Sequence, residues 1–155
     1  MTKEETLTRL AESRQALLQA IEGLSEEEMT QMQVEGVWTI KDVLGHITSW
    51  EEIYREPFRR YADGGPFEVE VIEDYLIWND VEAARKRDVP LDAILDELAT
   101  VRQGLVEAAS RLSAGQWKHR VPFSWGGQGT IAEVLDVFYR HELGHVRSIQ
   151  QWRRG

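Results

Sequence analysis

The sequence predicts an all-α protein, a bundle of four long helices, and three observations carry this. Apolar residues recur every three or four positions in four separate stretches of the 155-residue chain. Capping signatures stand where such stretches begin, and loops with glycine or proline divide them. Nowhere does an apolar/polar alternation last long enough to require a sheet.

The first helix is expected from about Thr2 to Gly23, with Leu7, Leu10, Leu17, Ile21 and Leu24 on one face and Glu and Arg between them. Ser25-Glu26-Glu27-Glu28 reads as a short capped turn and Glu35-Gly36-Val37 as a loop where the chain can reverse. A second long helix starts at Thr39, with Asp42 three residues on to satisfy the first amides. Val43, Leu44, Ile47, Trp50, Tyr54, Phe58 and Tyr61 form its stripe, and His46 lies on or beside it. Pro57 has no amide to donate, so this helix is expected to bend or break near Ile53 before Asp63-Gly64-Gly65-Pro66 ends it.

From Phe67 to Pro90 the pattern is less regular, with a short helix expected through Arg87. This connection of about 25 residues can run the length of a bundle and bring the next helix back parallel to the second. The third helix, about Pro90 to Leu112, carries Leu91, Ile94, Leu95, Leu98, Val101, Leu105, Ala108 and Leu112 behind a proline at a tolerated first-turn position. Ser113 to Gly129 reads as a long loop, after which Thr130 and Glu133 form a capping box for the fourth helix. Its stripe is Ile131, Val134, Leu135, Phe138, His141, His145, Ile149 and Trp152.

One domain over residues 1–155 suffices for this length, and no repeat or linker divides it. With no cysteine, there is no thiolate nucleophile and no sulfur-dependent zinc site, so histidine and carboxylate remain as ligands. No leader and no apolar run near 18 residues is present, so a cytoplasmic location without membrane contact is expected. Eighteen basic against 27 acidic residues give a net charge of -9, which repels a phosphate backbone, so no nucleic-acid partner is expected. The basic clusters Arg85-Lys86-Arg87, Lys118-His119-Arg120 and Arg153-Arg154 are short and read as solvated charge.

The chemistry concentrates at His141 and His145, four residues apart on the apolar stripe of the fourth helix. Two inward imidazoles one turn apart can close on a divalent metal ion, or can be core histidines satisfied by buried hydrogen bonds. His46 is a third inward candidate, meeting the pair if the second and fourth helices face each other. Three protein ligands leave a position open for water or substrate, as a catalytic metal site has. His119 sits between charged residues and is expected to be exposed.

The His-Glu-x-x-His string also invites a metalloprotease reading with Glu142 as general base. Ten residues after His145 and no His-x-x-Gly-x-x-His extension argue against it. Glu142 and Glu51 read either as a base or orienting partner of a ligating imidazole or as solvated helix surface. Trp50, Tyr54 and Tyr139 are candidates to line a substrate pocket, or to be core.

Three stretches carry a resemblance: Trp38-Thr39-Ile40-Lys41-Asp42-Val43-Leu44-Gly45-His46-Ile47 with Trp50-Glu51, then Thr130-Ile131-Ala132-Glu133-Val134-Leu135, then His141-Glu142-Leu143-Gly144-His145 with Ile149 and Trp152. In these, and in element order, the chain resembles the DinB-like superfamily of small bacterial four-helix proteins. The resemblance implies a DinB-like four-helix bundle with a long crossover between the second and third helices, which run parallel. It also implies a frequently dimeric protein and a divalent metal at one end of the core, held by His46, His141 and His145. Relatives include metal-dependent transferases of a low-molecular-weight thiol, a thiol-assisted maleylpyruvate isomerase, and a branch that protects cells from reactive cyclopropane-bearing metabolites.

The expected function is therefore a metal-dependent enzyme, with zinc or nickel, acting on a small electrophilic molecule by thiol transfer or hydrolysis. The competing expectation is a non-catalytic binding or self-protection protein that sequesters a reactive small molecule. No motif identifies the substrate.

Overall fold

The computed structural model describes residues 1–155. Four long helices form the bundle: α1 (Lys3–Ile21), α3 (Ile40–Ala62), α5 (Leu91–Ser110) and α7 (Ile131–Arg154). Between them lie α2 (Glu26–Gln31), α4 (Tyr75–Lys86) and α6 (Ala114–Lys118), with two small antiparallel ladders, β1 (Gln33–Glu35) on β2 (Trp38–Thr39) and β3 (Val121–Pro122) on β4 (Gln128–Gly129).

Helix starts follow local chemistry. Thr2, Ser25, Thr39 and Ser113 each accept a hydrogen bond from an amide three residues on, while Glu5, Glu28, Asp42 and Gln116 return one. Each such cap contributes about 1 kcal/mol. At α7 only half of the expected box forms: Thr130 accepts from the Glu133 amide, but the Glu133 carboxylate lies against Gly129 where a Cβ would stand. Pro90 caps α5 from outside the first turn and makes no side-chain bond.

Pro57 does not break α3. An interior proline costs about 3 kcal/mol or more. Phe58 and Tyr61 beyond it and Tyr54 before it are buried in one core cluster, and each large side chain so buried returns about 1.5–3 kcal/mol. Packing on both sides holds the helix in one piece.

The expected loops at 35–37 and 113–129 are more ordered than their composition suggests. Gly36, at φ 54°, makes the tight reversal between β1 and β2. The second segment contains α6 and the β3–β4 ladder, which carries Val121 and Phe123 into the core.

Side-chain contacts fix the directions of the helices. Glu51 meets Arg102 and Asp63 meets Arg111, so α3 and α5 run parallel. Arg9 meets Asp136, Ser13 meets Glu142 and Arg153 meets the Ala20 carbonyl, so α1 and α7 also run parallel. Across the bundle α7 is antiparallel to α3, with His145 near His46 and Phe138 near Tyr54. The bundle is thus two parallel pairs, α1/α7 and α3/α5, packed head to tail. The crossover carrying α4 makes the second pair possible.

Two apolar clusters fill the interior. One holds Leu10, Tyr54, Phe58, Leu105, Leu135 and Phe138; the other holds Leu17, Val43, Ile47, Ile94, Leu98, Val146 and Ile149. Between them on every long helix lies a polar residue: Ser13 and Arg14, Glu51, Arg102, and Glu142. No helix is long and apolar enough to cross a membrane.

Candidate metal centre

His46 comes from α3, and His141 and His145 from facing positions one turn apart on α7. Their Nε2 atoms converge: His46 Nε2 lies 2.9 Å and His145 Nε2 3.1 Å from His141 Nε2. Each neutral ring has one unprotonated nitrogen, and His141 Nε2 faces two others with one in-plane lone pair, so hydrogen bonding serves one approach well and not both. A single cation could serve all three. Nitrogens bound tetrahedrally at zinc distances stand about 3.4 Å apart, close to what the rings already show.

The protonation states agree with that chemistry. Burial, then the neighbouring His141, His145 and Lys86 charges, lowers His46 to about 2. Burial and then His145 lower His141 to about 4. Both are neutral at neutral pH, the form that binds metal. All three rings are partly buried and retain some exposure.

The β1–β2 turn supplies a partner that sequence reading missed. His145 Nδ1 lies 2.8 and 3.0 Å from the two Glu35 oxygens. Donating from Nδ1 leaves Nε2 with its lone pair toward the centre and fixes the ring plane. Burial alone would raise the Glu35 pKa, but the His145 hydrogen bond and charge, with Ser148, bring it below the usual value.

Aromatic rings wall the histidines. Trp38 lies 4.7 Å from His46, and Trp50 stacks at 5.0 Å on His141 with Tyr75 on its other face at 4.4 Å. Trp50 donates to Asn79 on α4, which anchors this wall to the crossover. Of the three aromatics singled out from sequence, only Trp50 reaches the triad. Tyr54 is fully buried and bonded to Ser124, its hydroxyl pushed up to about 12 by burial. Tyr139 lies under the Arg9 guanidinium. His119 is exposed, as expected.

Glu142 and Glu51 are not solvated surface. Glu142 is fully buried: Ser13 donates to it at 2.5 Å, Arg14 at 2.7 Å and Arg102 at 3.1 Å. Arg102 also forks onto both oxygens of Glu51 at 2.8 Å. Burial pushes the Glu142 pKa up, yet Arg102, Arg14 and Ser13 outweigh it and hold the carboxyl below its usual value. A carboxylate so engaged is a poor general base, and the structure gives Glu142 a place in the ion layer instead.

Fold and site together define a class: a four-helix bundle of two parallel pairs with a three-histidine constellation suited to a divalent cation. The chain belongs to the DinB superfamily, whose family model matches residues 9–149. Solved structures share the fold. YfiT from Bacillus subtilis, described as "a probable metal-dependent hydrolase with an unusual four-helix bundle topology", is 18% identical with a TM-score of 0.74, over 98% of this chain and 86% of that one. A mycothiol-dependent maleylpyruvate isomerase is 18% identical with a TM-score of 0.78 over 96% of this chain; the match spans 61% of the isomerase's length. The colibactin self-resistance protein ClbS, solved in complex with a dsDNA, is 15% identical with a TM-score of 0.73 over 96% and 94% of the two chains. That last structure removes the support for excluding nucleic acid on net charge, since a bundle of this fold meets a duplex. No curated protein matches the chain.

Proposed function

We propose that the chain holds one divalent cation, zinc or nickel, on His46, His141 and His145 and acts on small electrophilic molecules, by thiol transfer or by hydrolysis. The observation that carries this is the convergence of three Nε2 atoms on rings that keep some exposure; three protein ligands leave a coordination position for water or substrate. Imidazole nitrogen suits both metals. When bound, such a cation would lower the pKa of a thiol or water beside it and so supply a nucleophile to a chain that has no cysteine thiolate of its own. The chain's own residues do the rest: Glu35 orients His145, and Trp38, Trp50 and Tyr75 keep bulk water from one side of the triad. The fold relatives described as a probable hydrolase and a mycothiol-dependent isomerase support both arms of the reading.

Two measurements test it. Metal content of protein purified without a metal-affinity tag should approach one per chain in wild type and fall well below that in His145→Ala; equal content in both defeats the metal assignment. Turnover of chlorodinitrobenzene or monobromobimane, with bacterial thiols offered one at a time, should be metal-dependent and absent in His46→Ala. Stoichiometric uptake without product, in every thiol and in water, would instead identify a sequestering protein.

A further inference from the structure

The layer of buried Glu51, Arg102 and Glu142 with the partly buried Arg14 is unexpected in the core of a bundle that has two sound apolar clusters above and below it. Buried ion clusters of this kind can generally be replaced by apolar side chains of similar volume without loss of stability, so burial energy does not account for it. Its connections do. Within the parallel pairs the layer makes four contacts, Ser13 and Arg14 each to Glu142 for α1/α7 and the two arms of the Arg102 fork to Glu51 for α3/α5. Between the pairs it makes four: Arg102 to Glu142 at 3.1 Å, Arg14 to Glu51 at 3.6 Å, Arg14 to the Leu98 carbonyl at 2.8 Å and Arg102 to the Leu10 carbonyl at 3.0 Å.

The triad spans the same division, with His46 on one pair and His141 and His145 on the other. Packing is extensive within each pair and sparser between them. Apolar contact is non-directional and tolerates sliding, whereas one turn of slip is about 5.4 Å, far more than nitrogens 2.9 Å apart can absorb. We infer that the two guanidiniums are positioning residues, locking the α1/α7 pair against the α3/α5 pair at the axial register where His46 meets His141 and His145. A planar fork with five donors in fixed directions suits that task, and a slipped register would leave buried charges without partners.

This rests on the metal reading above, and the test separates the two. Cobalt(II), a spectroscopically visible ion, is titrated into the metal-free full chain of wild type, Glu142→Gln, Arg102→Lys and Leu112→Ala. Glu142→Gln keeps the shape of the side chain and removes its charge; Arg102→Lys keeps the charge and loses the fork. Leu112, buried at the far end of the bundle, serves as a purely structural control. Both layer variants should bind cobalt about tenfold or more weakly, the scale seen when outer partners of metal ligands are lost. At saturation their visible bands should differ from wild type in position and intensity, because the ligand geometry has moved. Leu112→Ala should unfold at lower denaturant yet keep the wild-type spectrum and affinity. Wild-type spectrum and affinity in Arg102→Lys, or in a folded Glu142→Gln, overturns the positioning role while leaving the metal site standing. No cobalt uptake by wild type overturns the metal site, and the positioning role with it.

Discussion

The ion layer and the histidine triad lie within a turn of each other on α7, at Glu142 and at His141 and His145, yet they satisfy their polar atoms in opposite ways. In the layer two positive and two negative side chains meet, and each carboxylate oxygen has a donor, while Arg14 Nη2 has only the Glu51 carboxylate at 3.6 Å and no hydrogen bond. In the triad three like groups meet, and a proton on His141 Nε2 can serve only one of its two neighbours. A buried cluster that closes on itself belongs to the architecture. One that stays open points to something brought from outside.

The largest expected effect tests this contrast directly. Truncating the closed cluster strands its remaining charges, so Glu142→Ala should lose about 3–5 kcal/mol in urea denaturation. His141→Ala in the metal-free chain removes a group already at odds with its neighbours and should lose less than half as much. Equal losses would mean that the triad, too, is a structural cluster. A smaller effect probes the one triad member with a partner of its own: Glu35→Gln should weaken metal binding about 10- to 100-fold and leave metal-free stability nearly unchanged. Unaltered affinity by competition with a chromogenic chelator would sink that role.

A further effect is in pH. His46 and His141 are held near 2 and 4, whereas in the unfolded chain a histidine titrates near 6.5. Below about pH 6.5 the unfolded state binds more protons than the native one, so stability present above that pH is lost as pH falls, by up to about 1.4 kcal/mol per unit for each histidine. Glu35 and Glu142, also held low, add their losses only below about 4.5. The urea midpoint of metal-free protein should therefore fall between pH 7 and 5, and His46→Gln should remove about half of the slope. A flat profile over that window would show the imidazoles to be solvated.

Much of this was legible in the sequence, for a reason that also explains what was not. The helices announce themselves by their stripes and caps, and the three histidines stand on two of those stripes. Residues brought in from elsewhere left no local trace: Glu35 reaches His145 across 110 positions, from a turn whose composition says only that the chain reverses. The ion layer does leave a signal in the sequence, of which only Glu51 and Glu142 stood out singly. Arg14 falls on the line of Leu10, Leu17 and Ile21, Glu51 on that of Ile47, Tyr54 and Phe58, Arg102 on that of Leu98 and Leu105, and Glu142 on that of Phe138 and Val146. Four charges, two of each sign, each interrupt a core stripe once; a charge on its own reads as surface, and only the set of four reads as a layer.

The pairing of the first long helix with the last has a consequence for how the chain is made. Roughly 110 residues separate the end of α1 from the start of α7, which at ribosomal rates is on the order of 5–20 s of synthesis. Through that interval Leu10, Leu17 and Ile21 have no α7 to pack on, while α3 and α5 can already find each other. The helix that ends this wait also carries two of the three imidazoles, so the face that would take a metal ion comes into being at the moment the fold closes.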